Sequence, residues 1–245
     1  MIEELINDLM LKIGETKRFD CPFCGGVNTF TITKERDSTV WNCYKASCPA
    51  KGGIGTKLSR ADLAHRKQQP KPPPEFVIPP SFTLDFPVRM VRYLEKNNVL
   101  EAWKANRVQL YYDVAANRVV FIIKADNKPV DAVGRALHKG VKWLRYGTSK
   151  EPFIVPTDTH HAIVVEDAAS AAAVSQYGTG IALLGTQLTD RALEIISQYR
   201  SVTVALDRDA TNKALHLTKR IKQFTTATMK ILKEDPKVYP RGVVE

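Results

Sequence analysis

Apolar residues recur along the chain in two different periods, which divide it into helical and extended segments. Residues 2–13 repeat them at helical spacing, which predicts a short amphipathic helix at the start. Residues 29–33 and 39–42 alternate apolar and polar side chains on either side of a charged turn, which predicts a hairpin. A small β-structured region is therefore expected near the N-terminus.

A second folded region begins near Ser81. Residues 88–105 predict a helix, and the next elements are a strand at 118–125 and a hairpin of residues 129–136 and 141–146. From His160 strands and helices alternate. The predicted strands are 162–166, 181–184, 201–207 and 227–232, and the predicted helices are 168–177, 188–199 (capped near Thr189) and 210–224. This order is typical of an α/β fold with a parallel, Rossmann-like sheet and right-handed crossovers.

The segment between these regions, residues 59–80, is polar and basic and then rich in proline (Gln-Gln-Pro-Lys-Pro-Pro-Pro, followed by Pro79-Pro80). Proline at this density disfavours both helix and sheet, which predicts a semi-rigid, extended tether. A proline-rich ligand for a partner domain is the alternative interpretation.

Composition narrows the classes of function. The 245 residues carry a formal net charge of +10, which favours a polyanionic partner, most simply nucleic acid, over a merely solvated basic surface. No apolar run reaches the length of a membrane span and no secretory signal is evident, so we expect a cytoplasmic protein with no membrane partner.

The cysteines carry the strongest chemical signal. All four lie in the first fifth of the chain, as two pairs with eighteen residues between them: Cys21-Pro-Phe-Cys24 and Cys43-Tyr-Lys-Ala-Ser-Cys48. This spacing predicts a zinc ribbon with one structural, tetrahedral zinc ion. The glycine pairs 25–26 and 52–53 supply the permissive backbone that such turns require. Two disulfides are the alternative, which a reducing cytoplasm disfavours.

Acidic residues end two of the predicted parallel strands. Glu166 ends the first strand, Asp207 ends the third, and Asp209 follows two residues later. Ligands of open α/β sheets bind beyond the carboxyl ends of the strands, so these carboxylates are expected to converge and to bind Mg²⁺ or Mn²⁺. Asp167 is a fourth acid whose simplest role is to cap the next helix. Cations upstream are candidates for a triphosphate or a nucleic-acid backbone: Arg118, Lys124, Arg135, Lys142 and Arg145.

Several short segments add a resemblance to a known family. In chain order they are the cysteine ribbon, Asn117-Arg118-Val119-Val120-Phe121-Ile122-Ile123, Gly134-Arg135, Lys142-Trp143-Leu144, Val164-Val165-Glu166, Leu184-Gly185-Thr186 and Leu206-Asp207-Arg208-Asp209. Together they resemble DnaG-type primases and the primase halves of phage primase–helicases. The last three segments resemble the glutamate strand, the LGT segment and the DxD motif of a Toprim fold.

The resemblance implies a DNA primase, an enzyme that synthesises short RNA primers on single-stranded DNA from NTPs by Mg-dependent nucleotidyl transfer. The implied domains are a zinc-binding domain (1–58), a linker (59–80), the N-terminal part of an RNA polymerase core (81–157) and a Toprim domain (158–245). Glu166, Asp207 and Asp209 would be the catalytic, magnesium-binding residues. The residues expected to bind substrate or nucleic acid are Arg118, Lys124, Arg135, Lys142, Trp41 and Lys45, although Trp41 could equally belong to the ribbon core.

The same resemblance implies partners: a replicative helicase acting in trans and a DNA polymerase that accepts the primers, in a bacterial or phage-infected cell. The chain departs from the family pattern at three points. Asp167 stands where the family has glycine, Ser170 where it has aspartate, and the second cysteine pair is separated by four residues instead of two. Two alternatives remain open, a Toprim nuclease and a non-catalytic, RecR-like module that binds single-stranded DNA.

Overall fold

The structure is a computed structural model in which the chain forms two compact units, Met1–His65 and Arg66–Glu245. The described residues are 2–12, 14–35, 38–55, 76–185 and 187–239. Parts of the sequence predictions fall outside them, namely Ile13, residues 36–37, residues 59–75 of the tether, and Thr186. Within the described ranges, no helix combines the length and the apolar character needed to cross a bilayer.

The first unit consists of a short helix, α1 (Ile2–Asp8), and a four-stranded antiparallel sheet. Its strands follow one another in chain order: β1 (Thr16–Phe19), β2 (Phe30–Lys34), β3 (Ser38–Cys43) and β4 (Lys51–Gly55). Alternate residues of β2, Phe30 and Ile32, are completely buried and form a small core with Cys21 and Cys43. Apolar side chains of α1 pack against this core, as the helical spacing predicted.

Glycine serves two different purposes in this unit. Gly25 has a φ of 63°, a left-handed conformation that closes the turn after the first cysteine pair. Gly52 and Gly53 lie in β4 instead of in a turn, which differs from the expectation. Gly52 pairs with Trp41 across the sheet, and a Cβ atom at position 52 would lie 2.5 Å from the indole ring. Glycine at this position therefore makes room for the tryptophan.

The second unit begins with an antiparallel sheet whose strands lie side by side in the order of the chain. Its strands are β5 (Phe82–Thr83), β6 (Leu110–Asp113), β7 (Arg118–Ala125), β8 (Lys128–Ala136) and β9 (Trp143–Arg145). Two helices lie between β5 and β6, α2 (Val88–Lys96) and α3 (Leu100–Lys104). The strand β7 is buried on both faces: Phe121 faces the main core, whereas Val120 belongs to a smaller cluster that Phe76 and Ile78 cover.

The other sheet of this unit is mostly parallel and has the order β10-β12-β11-β13-β14. Its strands are β10 (Phe153–Val155), β11 (His161–Val165), β12 (Thr179–Ala182), β13 (Ser201–Val204) and β14 (Thr226–Met229). Only β10 runs antiparallel to its neighbour among these strands. The connections contain α4 (Ala168–Val174), α5 (Asp190–Ile196) and α6 (Thr211–Ile221), and 3₁₀ turns form at Arg208–Ala210 and Pro236–Val238.

The two sheets of the second unit share one hydrophobic core. Phe121 of β7 meets Phe153 of β10 edge to face, with ring centroids 5.7 Å apart, and α4 adds a run of buried alanines. The small residues allow close approach: a Cβ atom at Gly180 of β12 would lie 2.0 Å from the carbonyl oxygen of Ala171. This tight packing of α4 on the sheet fixes the position of the residues that precede the helix.

The architecture is mixed α/β with several sheets, one of them partly parallel, as predicted. The single helix predicted for residues 88–105 is wrong, because α2 and α3 are separated at Asn97 and Asn98, and Asn98 has a φ of 55°. The short strands β1, β4, β5, β6 and β10 had not been predicted. Thr189 caps α5 as expected, since its Oγ1 accepts a hydrogen bond from the amide of Ala192.

Candidate functional site

Four free thiols converge in the first unit. Cys21 Sγ lies 3.9 Å from Cys48 Sγ, and Cys24 Sγ lies 3.8 Å from Cys43 Sγ. All four sulfur atoms lie within 4.8 Å of one another. A tetrahedral zinc ion with Zn–S bonds of about 2.3 Å places its sulfurs about 3.8 Å apart. The group could therefore hold one metal ion, with spacings compatible with a structural zinc and too long for disulfide bonds.

The thiols differ in acidity. A hydrogen bond with the Thr29 hydroxyl lowers the pKa of Cys43 to about 6. For Cys48 the amide of Ala50 lowers the pKa, but burial and the neighbouring thiols outweigh it and raise the value to about 12. With its pKa raised this far, the Cys48 thiol is not deprotonated on its own at neutral pH. A cation that binds all four thiolates has to supply the missing stabilisation.

The two ribbon residues predicted to bind nucleic acid, Trp41 and Lys45, differ in burial. Trp41 is partly buried and packs against the ribbon core, which agrees with the alternative that it is a core residue of the ribbon. Lys45 is exposed and lies between the two cysteines of the second pair. The more exposed aromatic residues are Tyr44, at 63%, and Phe23, at 50%. The guanidinium of Arg18 lies 5.4 Å from the centre of the Tyr44 ring. The exposed ring of Tyr44 thus lies beside the cation of Arg18.

In the second unit, the fold brings the three predicted acids together. Glu166 directly follows β11, and Asp207 and Asp209 follow β13, the parallel neighbour of β11. Carboxylate oxygens of all three residues lie within 4.8 Å of one another. We refer to Glu166, Asp207 and Asp209 as the acid triad. Adjacent parallel strands end at the same edge of a sheet, which explains how residues forty positions apart become neighbours.

Burial and neighbouring negative charges together disfavour ionisation of two acids of the triad. Burial, followed by the charge of Asp207, raises the pKa of Glu166. Burial, followed by the charge of Asp235, raises the pKa of Asp207, although Lys237 opposes this effect. Glu166 Oε1 accepts a long hydrogen bond of 3.3 Å from the amide of Asp207. Asp207 Oδ1 is buried and has no hydrogen-bond partner among the described residues. Closely spaced carboxylates of this kind are stabilised when a cation binds between them.

A cleft of about 350 Å³ opens beside the acid triad. We call it the cleft; its lining combines both signs of charge with apolar residues and consists of Val133, Arg135, Lys142, Trp143, Glu166, Asp167, Leu184, Gly185, Asp207, Asp235 and Lys237. Two predicted cations, Arg135 and Lys142, therefore share the cleft with two acids of the triad. The Arg135 guanidinium lies 5.6 Å from the centre of the Trp143 ring, which holds it beside the cleft.

Three other predicted cations do not line the cleft. Arg118 is only 6% exposed and donates hydrogen bonds to the carbonyl oxygens of Gly134 (3.2 Å) and Lys142 (3.4 Å). Its role in the structure is to hold the segment that carries Lys142. Lys124 is exposed at the far end of β7, next to the β7–β8 turn. Arg145 pairs with the buried carboxylate of Asp131 at 2.7 Å.

Two charged residues of the cleft were not predicted from the sequence, and a third, Asp167, was expected in the first place to cap a helix. Asp167 does cap α4, since its Oδ1 accepts from the amide of Ser170 at 2.9 Å, but it also lines the cleft. Asp235 and Lys237 come from the segment after β14 and were not predicted. The signal existed, because this segment follows the last parallel strand and thus reaches the same edge of the sheet. Burial alone would lower the pKa of Lys237, but its ion pairs with Asp167 and Asp235 raise it.

Comparisons with family models, with curated proteins and with solved structures found no match to this chain. The chemistry of the site therefore has to be inferred from its own geometry. That geometry offers three carboxylates for a hard cation, two cations for phosphate oxygens, and a separate group of four thiols for a soft or borderline metal.

Proposed function

We propose that the chain is a DNA primase, a DNA-directed RNA polymerase that joins NTPs on a single-stranded DNA template. The observation that carries the proposal is the acid triad at the end of two adjacent parallel strands, facing a cleft that also contains Arg135 and Lys142. The ordered sequence segments that resemble primases support it, and a partly parallel sheet is the architecture that a Toprim domain requires.

The acid triad fits a divalent ion, Mg²⁺ or Mn²⁺. Its ligand atoms are hard carboxylate oxygens, and the buried Oδ1 of Asp207 has no partner in the described part of the chain. When bound, the ion would stabilise the negative charge that develops during attack of a 3′-hydroxyl on an α-phosphate. In this reaction the 3′-oxygen–phosphorus bond forms, the α–β phosphoanhydride bond breaks, pyrophosphate leaves, and the hydroxyl proton passes to solvent.

The chain's own side chains would mainly bind and orient the reactants. Arg135 and Lys142 are cations at the cleft, suited to the oxygens of a triphosphate or of the growing primer. Trp143, which holds Arg135 in place, would limit the movement of that contact. We assign no side chain as a general base, because positioning and electrostatic stabilisation account for most of the acceleration in phosphoryl transfer.

The first unit would bind the template. With a structural zinc at the four thiols, the ribbon presents Tyr44 and Phe23 as exposed rings and Lys45 and Arg18 as cations. Unpaired bases stack on such rings while the backbone phosphates meet the cations. A replicative helicase acting in trans and a DNA polymerase that extends the primers are the partners that this function would need.

The test is primer synthesis by the full chain. Purified protein is incubated with labelled NTPs, Mg²⁺ and single-stranded DNA of varied sequence, and the products are separated on a gel. We expect short oligoribonucleotides whose sequence depends on the template. Asp207→Ala should abolish them, while Asp158→Ala, which removes an exposed acid before β11, should not.

Two results would contradict the proposal. Synthesis that survives Asp207→Ala would mean that the acid triad is not the reactive site. A complete lack of primers with every template would favour the alternatives: shortened, end-labelled DNA would indicate a nuclease, and intact DNA retarded on a gel would indicate a binding module.

A further inference from the structure

Lys237 is a nearly buried cation inside the cleft. Its side chain is 13% exposed, and its Nζ atom lies 2.7 Å from Asp167 Oδ2 and 2.8 Å from Asp235 Oδ2. Both contacts are short enough to be charge-assisted hydrogen bonds. The ammonium thus lies between two carboxylates in the same cleft as Glu166 and Asp207.

The backbone around Lys237 is anchored on both sides. Asn98 Nδ2 donates hydrogen bonds to the carbonyl oxygens of Lys237 (2.8 Å) and Tyr239 (2.9 Å). The Tyr239 hydroxyl in turn accepts hydrogen bonds from the amides of Lys233 and Glu234, at 2.7 and 2.9 Å. These contacts tie the 3₁₀ turn Pro236–Val238 to the region between α2 and α3. The ammonium is therefore held in place by the fold, as a bound cation would be held by its ligands.

The charges around the cleft divide into two sets. Asp167 and Asp235 share the ammonium of Lys237 through direct contacts, whereas Asp207 of the acid triad feels that ammonium as an electrostatic attraction. Each oxygen of Asp167 already accepts a hydrogen bond, Oδ1 from the amide of Ser170 and Oδ2 from Lys237. A second divalent ion at these two carboxylates would have to displace Lys237 and would meet its positive charge.

We propose that the Lys237 ammonium occupies the position of a second divalent ion, so that the cleft binds one ion only, at the acid triad. This inference rests on the proposed function, because it concerns the cation requirement of the same site. Two-metal phosphoryl-transfer sites place ions about 3.5–4 Å apart to stabilise both the attacking and the leaving oxygen. Here the fixed ammonium of Lys237 would supply the second positive charge near the phosphate oxygens. Its charge is smaller than that of a divalent ion, but it cannot dissociate from the protein.

The test is to count Mn²⁺ ions bound to the full, zinc-loaded chain. Thiolate sites strongly prefer zinc to Mn²⁺, so the four cysteines should not contribute to the count. Bound Mn²⁺ is measured by the loss of the free-ion electron paramagnetic resonance signal during a titration. We expect one ion per chain, with no spectrum of a coupled ion pair. Lys237→Met frees two carboxylates and should raise the count to two, with a coupled spectrum.

Two further variants serve as controls. Lys237→Arg keeps the positive charge and should still bind one ion. Lys233→Met removes an exposed lysine outside the cleft and should also leave the count at one. Each variant is first checked for wild-type secondary structure by circular dichroism. If Lys237→Met does not fold, the wild-type count still decides the proposal.

The outcomes separate this inference from the proposed function. Two ions of similar affinity in the wild-type chain would overturn the inference and leave the primase proposal intact. One ion in both the wild type and Lys237→Met would also overturn it, because the lysine would then not be excluding a second ion. No ion in the wild-type chain would overturn both.

Discussion

Replacing Asp207 by asparagine should stabilise the protein when no divalent ion is present. The carboxylates of the acid triad lie within 4.8 Å of one another, and at that separation two unit charges repel by about 1 kcal/mol in water and about 3.5 kcal/mol at an effective permittivity of 20. Asp207 is only partly buried and Lys237 attracts it, so we expect a gain near the lower limit, about 1–2 kcal/mol. Asparagine keeps the shape of the side chain and removes the charge.

The assay is thermal unfolding of the zinc-loaded chain at pH 7.5 in buffer freed of other divalent ions. For a domain of this size the gain corresponds to a rise in melting temperature of about 2–8 °C. Added Mg²⁺ should then stabilise the wild type by about 1.4 kcal/mol at ten times its dissociation constant, and Asp207→Asn much less. The matched control is Asp158→Asn, which removes an exposed acid at the opposite end of β11.

An unchanged or lower melting temperature for Asp207→Asn in metal-free buffer would show that the carboxylate of Asp207 experiences no net repulsion in the acid triad. Equal stabilisation of both proteins by Mg²⁺ would refute the assignment of Asp207 as a ligand. We therefore expect Asp207 to lower the stability of the metal-free protein and to raise that of the Mg²⁺-bound protein. Such behaviour is characteristic of a functional residue and not of a helix cap.

Three other predictions follow from the geometry. Cys43→Ser should lose the bound zinc and unfold the first unit, because such sites supply much of their own folding energy; unchanged zinc by elemental analysis would contradict this. Gly180→Ala should lower the free energy of unfolding by about 1–3 kcal/mol or more, since the new methyl group would lie 2.0 Å from the backbone oxygen of Ala171. Urea unfolding measures this loss, and a midpoint equal to that of the wild type would contradict it. Burial lowers the pKa of His161 below its ordinary value of about 6.5, so the unfolded chain binds the proton more readily and stability should fall as the pH decreases below about 6.5. His161→Asn should show a weaker loss between pH 8 and pH 5, and an identical pH dependence in both proteins would refute this.

Sequence periodicity predicted the parallel sheet because its strands are short apolar runs with helices between them, a pattern that depends mainly on burial. It failed where tertiary contacts decide the local structure. The break between α2 and α3 is one case: Asn98 adopts a left-handed conformation and its side chain binds the carbonyl oxygens of Lys237 and Tyr239, which are far away in sequence. No local pattern contains that information.

The same distinction applies to the candidate site. The acid triad was predictable, because its members follow strands whose carboxyl ends must share an edge of the sheet. Arg118 was assigned to the ligand surface from its charge, its strand position and the family resemblance, but its side chain is buried and supports the Lys142 segment. Lys237 was missed because its position after the last parallel strand was not used, and because one of its two partners, Asp167, is far away in sequence.

We propose that the acid triad binds a divalent ion at the edge of the parallel sheet. The most direct measurement is the position of Mn²⁺ by anomalous diffraction from crystals of the full chain soaked in MnCl₂. We expect one Mn²⁺ peak within coordinating distance of carboxylate oxygens from Glu166, Asp207 and Asp209. Well-ordered carboxylates with no peak between them, or a peak held only by other residues, would contradict it.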